Sequence, residues 1–169
     1  MPMTLAAISL DVNAADANGW MALMRSANGG HTDRVTELLA APGLNVNATN
    51  DAGQTVLMRA AERGHAETVT ALLAAPGLDV NAADHDGWTA LMRAVGRGYA
   101  EMVTALLAYP GLDVNAADGA GRTARALAKA RGHVEIASLL RADRRYAPTS
   151  TLTTKLGDTL TAFRRALNL

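Results

Sequence analysis

The chain has no cysteine among its 169 residues. That excludes a disulfide framework, a thiol nucleophile and a cysteine-based zinc site, and it fits a reducing compartment. Aromatic residues are almost as scarce, at two tryptophans, three tyrosines and one phenylalanine. So few disfavour a sheet-rich core and leave little for stacking on nucleic-acid bases. Neither sign of charge dominates: sixteen basic residues face sixteen acidic ones, so no global field draws the chain to nucleic acid or to an anionic membrane. No apolar run approaches membrane-spanning length, and the opening MPMTLAAISLDVN lacks the basic start and long apolar stretch of a secretory signal. Phosphate-cradling Gly-Lys motifs, nucleophile elbows and metal-ligand clusters are also missing. Together these absences predict a cytoplasmic protein that is not an enzyme, holds no cofactor or metal, and has no nucleic-acid or membrane partner.

What is present is alanine, leucine and self-similarity. The string VNA follows Asp11, Asn45, Asp79 and Asp113, a step of 34 residues each time. PGLNV at Pro42 returns as PGLDV at Pro76 and Pro110, preceded by LLAA, LLAA and LLAY. A fixed period of this length marks a stacked-repeat architecture. Within the period that starts at Asp84, Gly87 punctuates a turn, Thr89 stands where it can cap a helix, and Ala90, Leu91 and Ala94 give that helix a small inward face. The Gly96/Gly98 pair stops it. A second helix then runs from Ala100 to about Tyr109, with Val103, Leu106 and Leu107 on one stripe, until Pro110-Gly111 ends it. The matching triplets are Val35/Leu38/Leu39, Val69/Leu72/Leu73 and Ile136/Leu139/Leu140. Helices this short do not persist alone in water, so each pair has to bury its stripe against the next pair.

Asp-x-x-Gly-x-Thr-Ala-Leu, Gly-His, Leu-Leu and Asp-Val-Asn-Ala, in that order, resemble the ankyrin repeat. The resemblance covers about 130 residues, Asp11 to about Arg141, and implies an all-α solenoid of stacked helix-turn-helix units. The tetratricopeptide repeat shares the period but not these motifs. The organisation expected is a degenerate N-terminal cap over 1–15 and repeats over 16–49, 50–83, 84–117 and 118–141. A linker over 142–150 and a C-terminal amphipathic helix over 151–169, striped by Leu152, Leu156, Leu160, Phe163 and Leu167, complete it. Methionine (Met24, Met58, Met92) or Ala126 replaces the family's usual histidine in the Thr-Pro-Leu-His box, so apolar packing is expected in place of its hydrogen bond. Met21 lacks the capping hydroxyl, and Arg125 stands where Leu23, Leu57 and Leu91 stand, as expected of a terminal repeat that partly faces water.

Residues repeated once per turn of a solenoid are read as structural. His31, His65 and His133, with Tyr99 in the corresponding place of the third repeat, are expected to tie the inter-helix loop to backbone. Asn13, Asn47, Asn81 and Asn115 are expected to satisfy the connecting turns. Positions that vary inside a constant frame point instead to a partner. Trp20, Gln54, Trp88 and Arg122 occupy one such position near the turn tips, and tryptophan is the residue type most enriched at binding hot spots. Arg25, Arg59 and Arg93 fall 34 apart and form a ladder, with Arg63 and Arg97 at the same helix ends. Paired internally with the tip residues Asp16, Asp51, Asp84, Asp86 and Asp118, that ladder is a solvated face. Unpaired, it is a basic groove beside an acidic rim. The resemblance implies a scaffold, adaptor or inhibitor that binds another protein through its concave face and turn tips. The alternative is a regulatory or effector protein acting, or self-associating, through 151–169.

Overall fold

A computed structural model describes residues 11–146. The expected N-terminal cap lies mostly, and the C-terminal amphipathic helix wholly, outside the described residues. Among the described residues, eight helices follow one another in antiparallel pairs: α1 (Ala22–Asn28) with α2 (Thr32–Leu39), α3 (Val56–Arg63) with α4 (Ala66–Leu73), α5 (Ala90–Arg97) with α6 (Ala100–Leu107), and α7 (Ala124–Ala130) with α8 (Val134–Ala142). The odd-numbered helices pack on one another in sequence to form one layer, and the even-numbered helices form the second. Among the described residues the only strand-like pairings are single bridges at the turn tips, such as Ala83 with Thr89.

A threonine cap marks the start of three of the four odd-numbered helices, α3, α5 and α7. Thr55, Thr89 and Thr123 accept from the backbone N–H groups of Met58, Met92 and Ala126 at 3.3 Å, satisfying a donor that the first turn leaves free. Met21 makes no such bond, as its side chain predicts. It is buried instead, and Met24, Met58 and Met92 are each at most 1% exposed in the shared core. Val35, Val69, Val103 and Ile136 are buried on the facing helices, with Leu72, Leu106 and Leu140, while Leu39, Leu73 and Leu107 lie at the edge of that core.

Inter-repeat bonds recur with the sequence period. Asn13 Nδ2 donates to the Gly43 carbonyl (2.8 Å) and its Oδ1 accepts from Asn45 N–H (2.7 Å). Asn47 and Asn81 repeat both bonds one step on. Asn115 Nδ2 donates to the carbonyl of Arg145, the residue in register with Gly43, Gly77 and Gly111. Residues 142–146, expected as linker, therefore begin by continuing the repeat register. The Arg145 guanidinium also donates to the Leu107 and Tyr109 carbonyls, at 2.6 and 2.8 Å. Tyr146 lies over the Arg125 guanidinium, 4.9 Å from ring centre, and accepts its hydrogen bond at 2.8 Å. Arg125, expected in a repeat that partly faces water, is half-buried, with a tyrosine just past the last helix packed over it.

Gly-His recurs for a steric reason as well as a polar one. His65 Nε2 donates to the Asn28 carbonyl (3.0 Å), tying its loop to the preceding repeat. The next two rings, Tyr99 and His133, pack against Gly64 and Gly98 of the repeat before. A Cβ on Gly98 would come within 2.8 Å of His133, and Gly98 also holds a left-handed φ of 80°.

Candidate protein-binding face

The exposed side of the odd-numbered helices, together with the turn tips that precede them, carries the variable residues. Each tip is closed by the side chain in register with Asp84. Asp84 Oδ1 accepts from the N–H groups of Asp86 and Trp88, both at 2.9 Å. Asp16, Asn50 and Asp118 do the same in their own repeats. These backbone bonds hold the Asp16 carboxyl below its ordinary pKa, with Arg25 adding to them, whereas at Asp118 the Arg122 side chain contributes most. Asp84 and Asp118 are buried in this role. The acidic rim expected along the tips is thus thinner than the sequence suggests, with Asp16, Asp51 and Asp86 left as its exposed members.

The arginine ladder forms but is unevenly neutralised. Arg25 pairs with Asp16 and Arg93 with Asp84, each across its own turn. Arg59 has a neutral Asn50 at the matching tip and turns to Glu62 Oε2 (2.6 Å). Glu62 Oε1 meanwhile receives Arg97 (3.1 Å) and Arg93 (3.5 Å), so one carboxylate serves three guanidiniums. In register with Glu62 stand Asn28 and Gly96, which carry no charge. Asn28 Oδ1 accepts from Arg59 Nη2 (2.9 Å) and Arg63 Nε (3.1 Å). The Arg59 guanidinium is pulled below its usual pKa by burial; Glu62 opposes this, and Arg63, Arg93 and Arg97 reinforce it. The Nε–H groups of Arg59 and Arg93 are buried without an acceptor.

Both tryptophans are half-buried beneath this layer. The Arg59 guanidinium lies 4.9 Å from the Trp20 ring centre, and Arg93 and Arg131 lie 5.3 and 5.7 Å from that of Trp88. The indoles are therefore floors that hold guanidiniums in place by cation–π attraction, not free anchors. Two open clefts result. The first, about 470 Å³, brings together Trp20, Arg25, Asn28, Arg59 and Arg63. The second, about 230 Å³, joins Trp88, Arg93, Arg97 and Arg131 over Glu62. Gln54 accepts from Asn50 and Arg122 pairs with Asp118, so neither of these tip residues lines a cleft. Glu62 and Asn28 were passed over in the sequence, although theirs is a helix position whose charge changes from one repeat to the next.

Comparison with known families fits this geometry. The model for ankyrin repeats (3 copies) matches residues 4–84 and 76–151, and the chain belongs to that family. Ankyrin repeats are generally protein–protein interaction modules. A search of curated proteins finds no match. Among the described residues no group of histidine, cysteine or carboxylate side chains could hold a metal ion, and no helix is long and apolar enough to cross a membrane.

Proposed function

We propose that the chain is a non-enzymatic module that holds another protein against the face of its odd-numbered helices, in the manner of a scaffold, adaptor or inhibitor. The observation that carries this reading is the convergence of Arg25, Arg59, Arg63, Arg93, Arg97 and Arg131 on that face against the carboxylates of Asp16, Glu62 and Asp84. A fold that needed these arginines only for internal pairing has no use for the surplus. Complementary charge fixes orientation and speeds encounter with a partner. Replacing tryptophans is a poor test because it unseats Arg59 and Arg93; the exposed guanidiniums make cleaner targets. Affinity capture from the source lysate with the intact chain and with Arg63→Glu/Arg97→Glu, both checked for helicity by circular dichroism, tests the face. A protein retained by the first and lost by the second is the expected result. Equal retention by both places the contact elsewhere on the molecule.

A further inference from the structure

The two clefts lie two repeats apart and share part of their register. Asp16, Trp20 and Arg25 stand in register with Asp84, Trp88 and Arg93, and Arg63, on the next repeat, with Arg131. The repeat between them differs where it matters, with Gln54 in place of the indole and Glu62 in place of Asn28 or Gly96. Its carboxylate is already shared by Arg59, Arg93 and Arg97. The face thus carries two arginine-rich clefts, each with one carboxylate in its lining: Asp16 in the first, and in the second Glu62, which stands on the side toward the first cleft. In each cleft an exposed guanidinium stands beside one fixed on an indole: Arg63 with Arg59 on Trp20, and Arg97 and Arg131 with Arg93 on Trp88. Planar guanidiniums held at fixed angles suit bidentate capture of carboxylates.

We propose that this face receives an extended acidic segment of a partner protein through two carboxylate clusters, one per cleft, with uncharged residues crossing Glu62. The proposal rests on the protein-binding reading above and specifies its ligand. Neighbouring helices pack at 8–10 Å, so two steps set the clefts about 20 Å apart. An extended chain rises about 3.3 Å per residue, so the two clusters should be about six residues apart. Neither flanking stretch supplies such a segment: residues 147–169 carry Lys155, Arg164 and Arg165 against Asp158, and residues 1–10 carry no acidic side chain.

Both of the chain's tryptophans floor the clefts, so intrinsic fluorescence of the full chain reports occupancy directly. The probes are synthetic peptides of one composition, each with two Glu-Glu pairs in a Ser/Gly background, spaced three, six or ten residues apart. The six-residue spacing is expected to bind at least tenfold more tightly than the others and to weaken as salt rises. Arg63→Glu and Arg131→Glu should each cost tenfold or more, and Arg34→Glu, on α2, should cost nothing. Equal affinity across the three spacings, or tighter binding of a duplex oligonucleotide than of the best peptide, overturns the proposal. The first outcome leaves the protein-binding reading intact. That reading falls only if a captured partner survives Arg63→Glu/Arg97→Glu.

Discussion

At the level of single residues, the hydroxyls and carboxylates that close turns and helix starts make the most accessible tests. Thr89 accepts one bond, from Met92 N–H, and is 4% exposed. Thr89→Val keeps its shape and removes the acceptor, and is expected to lower unfolding free energy by about 1 kcal/mol in urea denaturation. Acid sensitivity follows from the same class of contact. Asp16, Asp118 and Asp143 all have their pKa lowered from 3.8: by backbone N–H groups first at Asp16, by the Arg122 side chain at Asp118, and by that of Arg145 at Asp143. With native pKa values below the unfolded ones, the unfolded chain binds more protons in that interval. Their contribution is therefore present above about pH 4 and is lost as pH falls through the native values. The urea midpoint should drop across that window, and by less in Asp118→Asn. The capping threonines were legible in the sequence because cap and partner lie three residues apart. Tyr146 was not, because its contact with Arg125 spans 21 residues and follows a helix end that carries no repeat marker.

Among elements, α3 occupies the position with most at stake, since it brings Arg59, Glu62 and Arg63 to the seam between both clefts. Glu62→Gln removes the single carboxylate shared by three guanidiniums, two of them largely buried. Charge-assisted bonds of this kind are worth about 1.5–3 kcal/mol each, and solvent at the groove reduces that. A loss of about 1–3 kcal/mol in unfolding free energy is expected. The same variant should bind the six-spaced acidic peptide more tightly, because it removes the carboxylate that neutralises those guanidiniums. Lower stability with higher affinity, measured by denaturation and fluorescence titration, is the signature of Glu62 acting as an internal counter-ion. The helices themselves were predictable from glycine, proline and the apolar stripe. The role of Glu62 was not, because it depends on side chains brought together from adjacent repeats, about one 34-residue period apart in the chain.

For the molecule as a whole, nearest-neighbour packing governs. Among the described residues, α3 and α5 pack against an odd-numbered helix on both sides, and α7 packs against α5 on one side and its own partner α8. Hydrogen exchange should accordingly be slowest in α3 to α6 and faster in α7 and α8, where opening breaks a single interface. Uniform protection from α3 to α8 would mean that Arg145 and Tyr146 substitute fully for a further repeat. Period, handover from helix to helix and asparagine ladder all follow from the 34-residue step read in the sequence. The alternating charge of the groove lay in the same letters, but became visible only when register placed Asn28, Glu62 and Gly96 in one row.

The asparagine ladder also has a mechanical meaning. Asn13, Asn47, Asn81 and Asn115 each clasp the connector that follows, so tension applied along the chain loads these clasps in series. Under a pulling force the array should yield like a zip fastener, one tooth at a time. Each tooth would release 34 residues of slack, about 12 nm at 3.5 Å per residue.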